Sequence, residues 1–264
     1  MNVNIKNKNK LNITFLGTGT SQGIPIIACD CEVCQSVDKK DKRLRSSIML
    51  EVNDKIIIID AGPDFSQQML RENVKSLDAI LLTHGHKDHI GGLDDVRAFN
   101  YILQRPINVY ANIGAIMSVR RELFYAFENH NRYPGVPKID LQTIENKEFQ
   151  IDGIKITPIE TLHYKLVTFA YRIGDFTYIT DTNFISELEM EKIKGSKVIV
   201  INALRRKKHI SHFALSEALE ILDKLKPEKA YLTHLSHIMG LHQDVEKELP
   251  AYVKIAYDGL KINC

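Results

Sequence analysis

The chain has 264 residues, 44% hydrophobic and 26% charged, with a formal net charge of +2. That is ordinary for a soluble globular protein and long enough for one large domain or two small ones, with a core that needs no disulfides. A charge so near zero argues neither for nor against nucleic acid, which a local basic patch would have to indicate.

The polar start MNVNIKNKNKLN lacks the apolar stretch of a signal peptide. No apolar run approaches the roughly 20 residues that cross a bilayer, so no membrane partner is expected. The first strand, LNITFLG (11–17), opens into GTGTSQG. This reads G-x-G-x-x-x-G and is followed by cysteines rather than a helix, so a dinucleotide loop is rejected and the glycines are taken as the turn leaving the strand. IIACDCEVCQS then places Cys29, Cys31 and Cys34 together. Clustered thiols in a chain with 4 cysteines suggest a metal site in a reducing, cytoplasmic compartment rather than a secreted disulfide framework. A closed tetrahedral site needs a fourth ligand, for which Cys264 and His237 are candidates. Cys264 sits at a chain end, where residues often fray.

Strands SSIMLEV and KIIIIDAG follow, then a helical stretch SQQMLRENVKS. Strand AILLTH runs into the loop described below, and helical DDVRAFNYILQR and NIGAIMSVRRELFYAF flank strand INVYAN. The loop NHNRYPGVPK carries His130, Arg132 and Tyr133, which could overhang a pocket and read a substrate. IKITPIE, TFAYRIG, FTYITD, KVIVINAL, KAYLTH and VKIAYDG are further strands. Between the last three lies HFALSEALEILDKLKP, whose Leu215, Leu219, Leu222 and Leu225 have helical spacing and which stops at Pro227. No linker or internal repeat divides the chain. Strands and helices in mixed order fit sheets covered by helices, and sites collect at the strand ends of such folds.

After AILLT come His84, His86, Asp88 and His89, followed by Gly91 and Gly92. Imidazole and carboxylate together suit zinc, manganese or iron, and the glycines are expected to let the loop turn tightly enough for the ligands to converge. Four potential ligands at this spacing outweigh the alternative of a solvated histidine-rich loop. T-H-x-H-x-D-H-x-G-G resembles the signature of the metallo-β-lactamase superfamily, and the likeness extends from FLGTGTSQG to AYDGL. The resemblance implies an α/β (α+β) four-layer αββα sandwich, with residues 1–264 forming a single hydrolase domain. It implies that His84, His86 and His163 hold one metal, that Asp88, His89 and His234 hold another, and that Asp181 bridges them. Asp88 together with Asp181 looks like the phosphodiesterase and glyoxalase side of the superfamily, which disfavours β-lactam hydrolysis. Asp60 lies where relatives supply a carboxylate to the metal histidines, or it simply starts the AGPD turn; both readings stand.

Two metals about 3.5–4 Å apart can generate a hydroxide and clamp the oxygens of a phosphodiester. In phosphodiesterase branches a histidine ahead of a helix acts on the leaving group, and His212 aligns with it better than His209; a solvated helix-start histidine is the alternative. Arg205, in the run Arg205–Lys208, and Arg132 with His130 are candidates for substrate contact. The chain also resembles the cyclic phosphodiesterases of phosphonate breakdown. Their relatives carry a C-x-C-x-x-C cluster completed by a histidine three residues after the last active-site histidine, which implies a structural zinc on Cys29, Cys31, Cys34 and His237. A redox role lacks a thioredoxin-like setting. The expected function is a hydrolase of a small cyclic or nucleotide-like phosphodiester, with two active-site divalent ions (manganese or zinc, or iron) and one structural zinc. A homodimer is left open. A transfer-RNA 3′-processing endonuclease is one alternative, although no RNA-gripping arm is seen and the basic footprint is small. A non-hydrolytic protein like the accessory protein of pyrroloquinoline quinone biosynthesis is the other.

Overall fold

The apolar runs of the sequence become strands buried on both faces. The computed structural model describes residues 10–128 and 135–264. Its strands are β1 (Asn12–Gly17), β2 (Ser47–Val52), β3 (Lys55–Ile59), β4 (Ala79–Leu81), β5 (Ile107–Ala111) and β6 (Ile139–Thr143), then β7 (Phe149–Ile151), β8 (Ile154–His163), β9 (Leu166–Ile173) and β10 (Phe176–Ile179). β11 (Val198–Asn202), β12 (Lys229–Thr233), β13 (Val253–Ile255) and β14 (Lys261–Asn263) complete them. They form two sheets of 7 strands, ordered β14-β1-β2-β3-β4-β5-β6 and β13-β12-β11-β10-β9-β8-β7.

Alternation along each strand explains the layering. Ile13, Phe15, Ile48, Leu50, Ile57 and Ile59 of the first sheet meet Phe176, Tyr178, Val198 and Val200 of the second in the central core. Leu16, Met49, Ile58 and Ile80 face the other way, under helices that contribute Phe65, Met69, Phe99, Ile116 and Val119. Ile179, Ile199, Ile201 and Leu232 lie under Leu215, Ala218 and Leu222 of the helix Leu215–Leu225. Three apolar layers thus separate four structural ones, and the fold is the expected αββα sandwich. Strands covered on both sides cannot alternate polar and apolar residues, which is why they read as continuous runs.

Several boundaries differ from expectation. The helix beginning near Ser66 is Phe65–Arg71 and stops short of Asn73, whose φ of +53° is left-handed. The stretch 112–127 is two helices, Ile113–Glu122 and Phe124–Phe127, broken at Leu123. The glycines of the histidine loop act differently from expectation. Gly91 and Gly92 keep ordinary negative φ values of −67° and −99°. A Cβ on Gly92 would lie 2.1 Å from the Gly62 carbonyl oxygen, and one on Gly62 would lie 2.0 Å from that of Asp88. These glycines allow backbone to touch backbone, and that contact presses the loop after β4 against the loop after β3.

Candidate metal centre

The parallel strands β3, β4, β10, β11 and β12 deliver their C-terminal ends to one edge of the sandwich, the place where ligands gather in open parallel sheets. Asp60, Asp181 and His234 each follow such a strand and each adopts a left-handed backbone, with φ of +66°, +50° and +57°. Such conformations are uncommon for residues with a side chain and persist where the surroundings over-determine them. Here the turn aims each side chain into the cleft instead of along the strand.

Asp60 is fully buried. Its Oδ1 accepts from the Thr83 N–H at 2.8 Å, its Oδ2 from the Thr83 hydroxyl at 2.9 Å, and Oδ2 also accepts from His89 Nδ1 at 2.7 Å. The Thr83 oxygen in turn takes a hydrogen bond from His84 Nδ1 at 3.0 Å. Asp60 is therefore the carboxylate behind the histidines, and the turn-starting alternative falls. By fixing protons on the Nδ1 atoms it leaves the Nε2 lone pairs of His84 and His89 facing the cleft. His163 is set likewise, its Nδ1 donating to the Ser211 carbonyl at 2.8 Å.

The remaining donor atoms converge. His84, His86 and His163 form one group of possible ligands, Asp88, Asp181 and His234 another, and Asp181 also groups with His84 and His89 and with His163 and His212. Asp181 Oδ2 lies 3.2 Å from both His89 Nε2 and His234 Nδ1. His89 Nε2 is 3.2 Å from Asp88 Oδ2 as well, yet this buried atom is in line for a hydrogen bond with neither carboxylate. A lone pair aimed between two carboxylates is poor hydrogen bonding and good metal ligation, so these residues fit divalent cations.

The electrostatics agree. Burial opposes charge on His89, but Asp181, Asp60 and Asp88 outweigh it and hold its pKa well above the usual value. Asp181 and Asp88 stay well below the carboxylate range despite burial, held down chiefly by His234 and His89 for the first and by His89 for the second. Three carboxylates thus demand positive charge at one point. His84 and His234 are pushed down, first by burial. His212 is pushed down to about 3 by burial and the nearby His234. Its Nδ1 is 3.9 Å from Asp181 Oδ1, beyond hydrogen-bond reach.

Cys29, Cys31, Cys34 and His237 form a second cluster, with Sγ to His237 Nδ1 distances of 3.2, 3.3 and 3.6 Å. Zinc–sulfur and zinc–nitrogen bonds of about 2.3 and 2.0–2.1 Å at a tetrahedral angle give an edge of ~3.5 Å, so the spacing suits zinc. Cys264 is elsewhere: its backbone pairs with Leu11 and its side chain packs on the central core. The Cys34 N–H pulls the Cys31 thiol down to about 6, whereas burial pushes Cys34 up to about 11.

Of the substrate-contact candidates, Arg205 lines a cleft with His209, His212 and His234. His130 and Arg132 lie outside the described residues. Arg206 turns away to a two-pronged pair with Glu248 at 2.7 and 2.8 Å. Sequence reading missed Thr83, Ser46, which lies 3.1 Å from His234 Nδ1, and the Ser211 carbonyl. Only Thr83 carried a signal, as the first letter of the histidine motif.

A αββα sandwich with a His/Asp cluster at the strand ends defines a metallo-β-lactamase-fold, metal-dependent hydrolase. Residues 55–235 match the beta-lactamase superfamily domain, and the chain belongs to that superfamily. Within it, the chain resembles the PhnP family: the crystal structure of a diphosphatase from that family superposes with a TM-score of 0.91 at 36% identity, covering 97% of both chains. An octanoyltransferase of Porphyromonas gingivalis is 39% identical over 250 residues, 94% of this chain and 50% of that protein. The chain thus spans about half the length of this relative. Zinc-bound PqqB from Methylobacterium extorquens shares the fold, with a TM-score of 0.75 at 18% identity over 95% of this chain and 99% of that one.

Proposed function

We propose that the chain is a dinuclear metal-dependent phosphodiesterase acting on a small cyclic or nucleotide-like phosphodiester. The observation that carries this reading is the convergence of His84, His86, Asp88, His89, His163, Asp181 and His234, with a carboxylate at both Asp88 and Asp181. His84, His86 and His163 would hold one divalent ion and Asp88, His89 and His234 a second, with Asp181 shared. Zinc, manganese and iron all suit such nitrogen and oxygen ligands. Bound there, the ions supply Lewis acidity towards a water and a phosphoryl oxygen.

The chain's own residues do the rest. Asp60 keeps His89 in one tautomer and, through Thr83, keeps His84 in one too. His212 adjoins the cluster ahead of its helix and faces the leaving oxygen. With its pKa near 3 it is neutral at pH 7, so it acts first as an N–H hydrogen-bond donor. The negative charge of a bound phosphate raises its proton affinity, which favours proton transfer as the leaving oxygen gains charge. The resemblance to a PhnP-family diphosphatase supports cleavage at phosphorus.

The test is a panel: metal-loaded protein against bis-p-nitrophenyl phosphate, 2′,3′-cyclic nucleotides, a ribosyl cyclic phosphate and a precursor transfer RNA. Turnover of the small phosphodiesters is expected. No turnover of any of them, with bound metal confirmed by elemental analysis, would remove the proposal in favour of a binding role.

A further inference from the structure

Large apolar side chains left in water gather on three segments around the side of the cluster where the His86 and His163 rings meet, their centroids 5.2 Å apart. On the helix Ile113–Glu122, Ile113 is 62% and Met117 65% exposed. After His163, Tyr164 is half-exposed and Leu166 and Val167 are partly so. Phe184, three positions after Asp181, is half-exposed too. Each segment is pinned to the cluster. A Cβ on Gly85, between His84 and His86, would lie 2.5 Å from Ser118 Oγ, so the helix rests directly on the ligand loop. The Phe169 N–H donates to the Thr83 carbonyl at 2.8 Å, which seats β9 beside the histidine motif, and Asn112 at the helix start reaches the Val167 carbonyl at 3.5 Å. The Leu162 N–H, next to His163, donates to the Phe184 carbonyl at 3.0 Å. Residues 112–118, 164–168 and 182–185 together contain one charged side chain, Lys165, in a chain that is 26% charged. Tyr164 also keeps a left-handed φ of +59°, which a bulky residue adopts only under constraint, and Asn183 Oδ1 holds its N–H at 2.7 Å. Single exposed apolar residues are ordinary, whereas a group of them around a polar centre marks a binding surface.

We propose that this surface binds an alkyl chain carried by the substrate, so that the preferred phosphodiesters are amphiphilic. The phosphate sits at the His/Asp cluster and the chain lies across Ile113, Met117, Tyr164, Leu166, Val167 and Phe184. This rests on the phosphodiesterase reading and adds a requirement on one ester group. The position names the occupant: a substrate whose phosphorus sits at the cluster carries its ester groups outward over the rim, and on this side the rim offers carbon rather than charge. Four of the six side chains are aliphatic, and methionine adapts to irregular apolar shapes, which suits a chain without a fixed form. The driving force is apolar area removed from water, so binding grows with chain length.

The experiment measures kcat/KM of the metal-loaded protein for alkyl p-nitrophenyl phosphates from methyl to hexyl. A rise of about twofold per methylene, roughly thirtyfold over the series, is expected for a half-buried chain, full burial giving about fourfold per methylene. In Met117→Ser/Leu166→Ser the hexyl-to-methyl ratio falls several-fold, and circular dichroism confirms that the variant folds. Calorimetric titration with hexyl phosphate and methyl phosphate supplies a readout without turnover: the hexyl ester binds more tightly in the parent, and its advantage shrinks in the variant. Cleavage of every diester at equal kcat/KM would overturn the surface while leaving the phosphodiesterase reading intact. No cleavage of any diester, with hexyl phosphate still the tighter ligand, would count against the phosphodiesterase reading and leave the surface standing. A chain length without effect, in a protein whose variant goes from dimer to monomer by light scattering or loses binding to phosphatidylcholine vesicles, would give the surface to a second copy or to a membrane and overturn the proposal.

Discussion

His237 follows His234 by only three positions, yet the two imidazoles belong to clusters of opposite character. His237 joins three sulfurs at 3.2 to 3.6 Å, a spacing that a single tetrahedral ion fills completely. His234 joins imidazoles and carboxylates that form several overlapping groups, and with His212 it lines a cleft beside Arg205 and His209. Closed sulfur ligation holds the fold, whereas oxygen and nitrogen ligands with spare positions leave room for a substrate. The surroundings follow the same division. The His/Asp cluster is braced by Asp60 and Thr83 within two large sheets. The cysteine cluster has only Ile24, Val33 and Cys34 as a buried core of its own, so it depends on its ligands for stability.

This contrast can be broken at either end. Asp181→Ala, which removes the shared carboxylate, should lower kcat/KM on bis-p-nitrophenyl phosphate by on the order of 10³-fold or more, since metal-borne charge stabilisation is worth several kcal/mol; steady-state kinetics with metal content would show it. His212→Ala should cost about 10²-fold in kcat, within the range of general acid–base catalysis, with bound metal unaltered. Asp60→Asn keeps the shape but loses the charge behind His89, and metal affinity should fall by roughly 10- to 100-fold, measured by competition with a chelating dye. Cys31→Ala should lower zinc by about one ion per chain and reduce the melting temperature while the His/Asp ligands stay in place. Unchanged zinc content would erase the distinction between the clusters.

The smallest effect concerns Asp258, which accepts hydrogen bonds from the Thr18 hydroxyl and the Leu44 N–H. Burial raises the Asp258 carboxyl to about 6, although the Leu44 N–H, the Thr18 hydroxyl, Arg71 and Arg43 favour its charge. A carboxyl with a raised folded pKa contributes stability that is present below its unfolded value, near 4, and is lost as pH rises through about 6. Urea denaturation at a series of pH values should therefore show a decline across that window, and Asp258→Asn should flatten it. Equal slopes would mean that Asp258 ionises freely.

What could be read from the chain depended on where burial was complete. The runs buried on both faces announced themselves, from LNITFLG to VKIAYDG. The strands that escaped, β6 (IDLQT), β7 (FQI) and β14 (KIN), are all sheet edges, short and partly exposed. Their polar sides face solvent, as edge strands commonly do, so no continuous apolar pattern marks them. At the site, His84, His86, Asp88 and His89 are local and were legible as chemistry. Ser46 was not, because it reaches His234 across 188 positions, and the Ser211 contact uses a carbonyl that every residue possesses. The glycines were visible but misread: Gly62 and Gly92 serve contact between two loops, which no single loop displays.

The reach of the cysteine cluster has a consequence for how the protein is made. Cys29 and His237 are 208 positions apart, and β1 must wait for β14 to cover its outer edge. A ribosome releases Cys29, Cys31 and Cys34 long before their fourth partner has been translated. During that interval the three thiols alone cannot complete a tetrahedral site, since closure over such a separation must await the rest of the chain. A zinc held by this cluster would therefore be loaded late in biogenesis. Zinc starvation during synthesis should leave chains stalled with both sheets begun and neither sealed at its first loop.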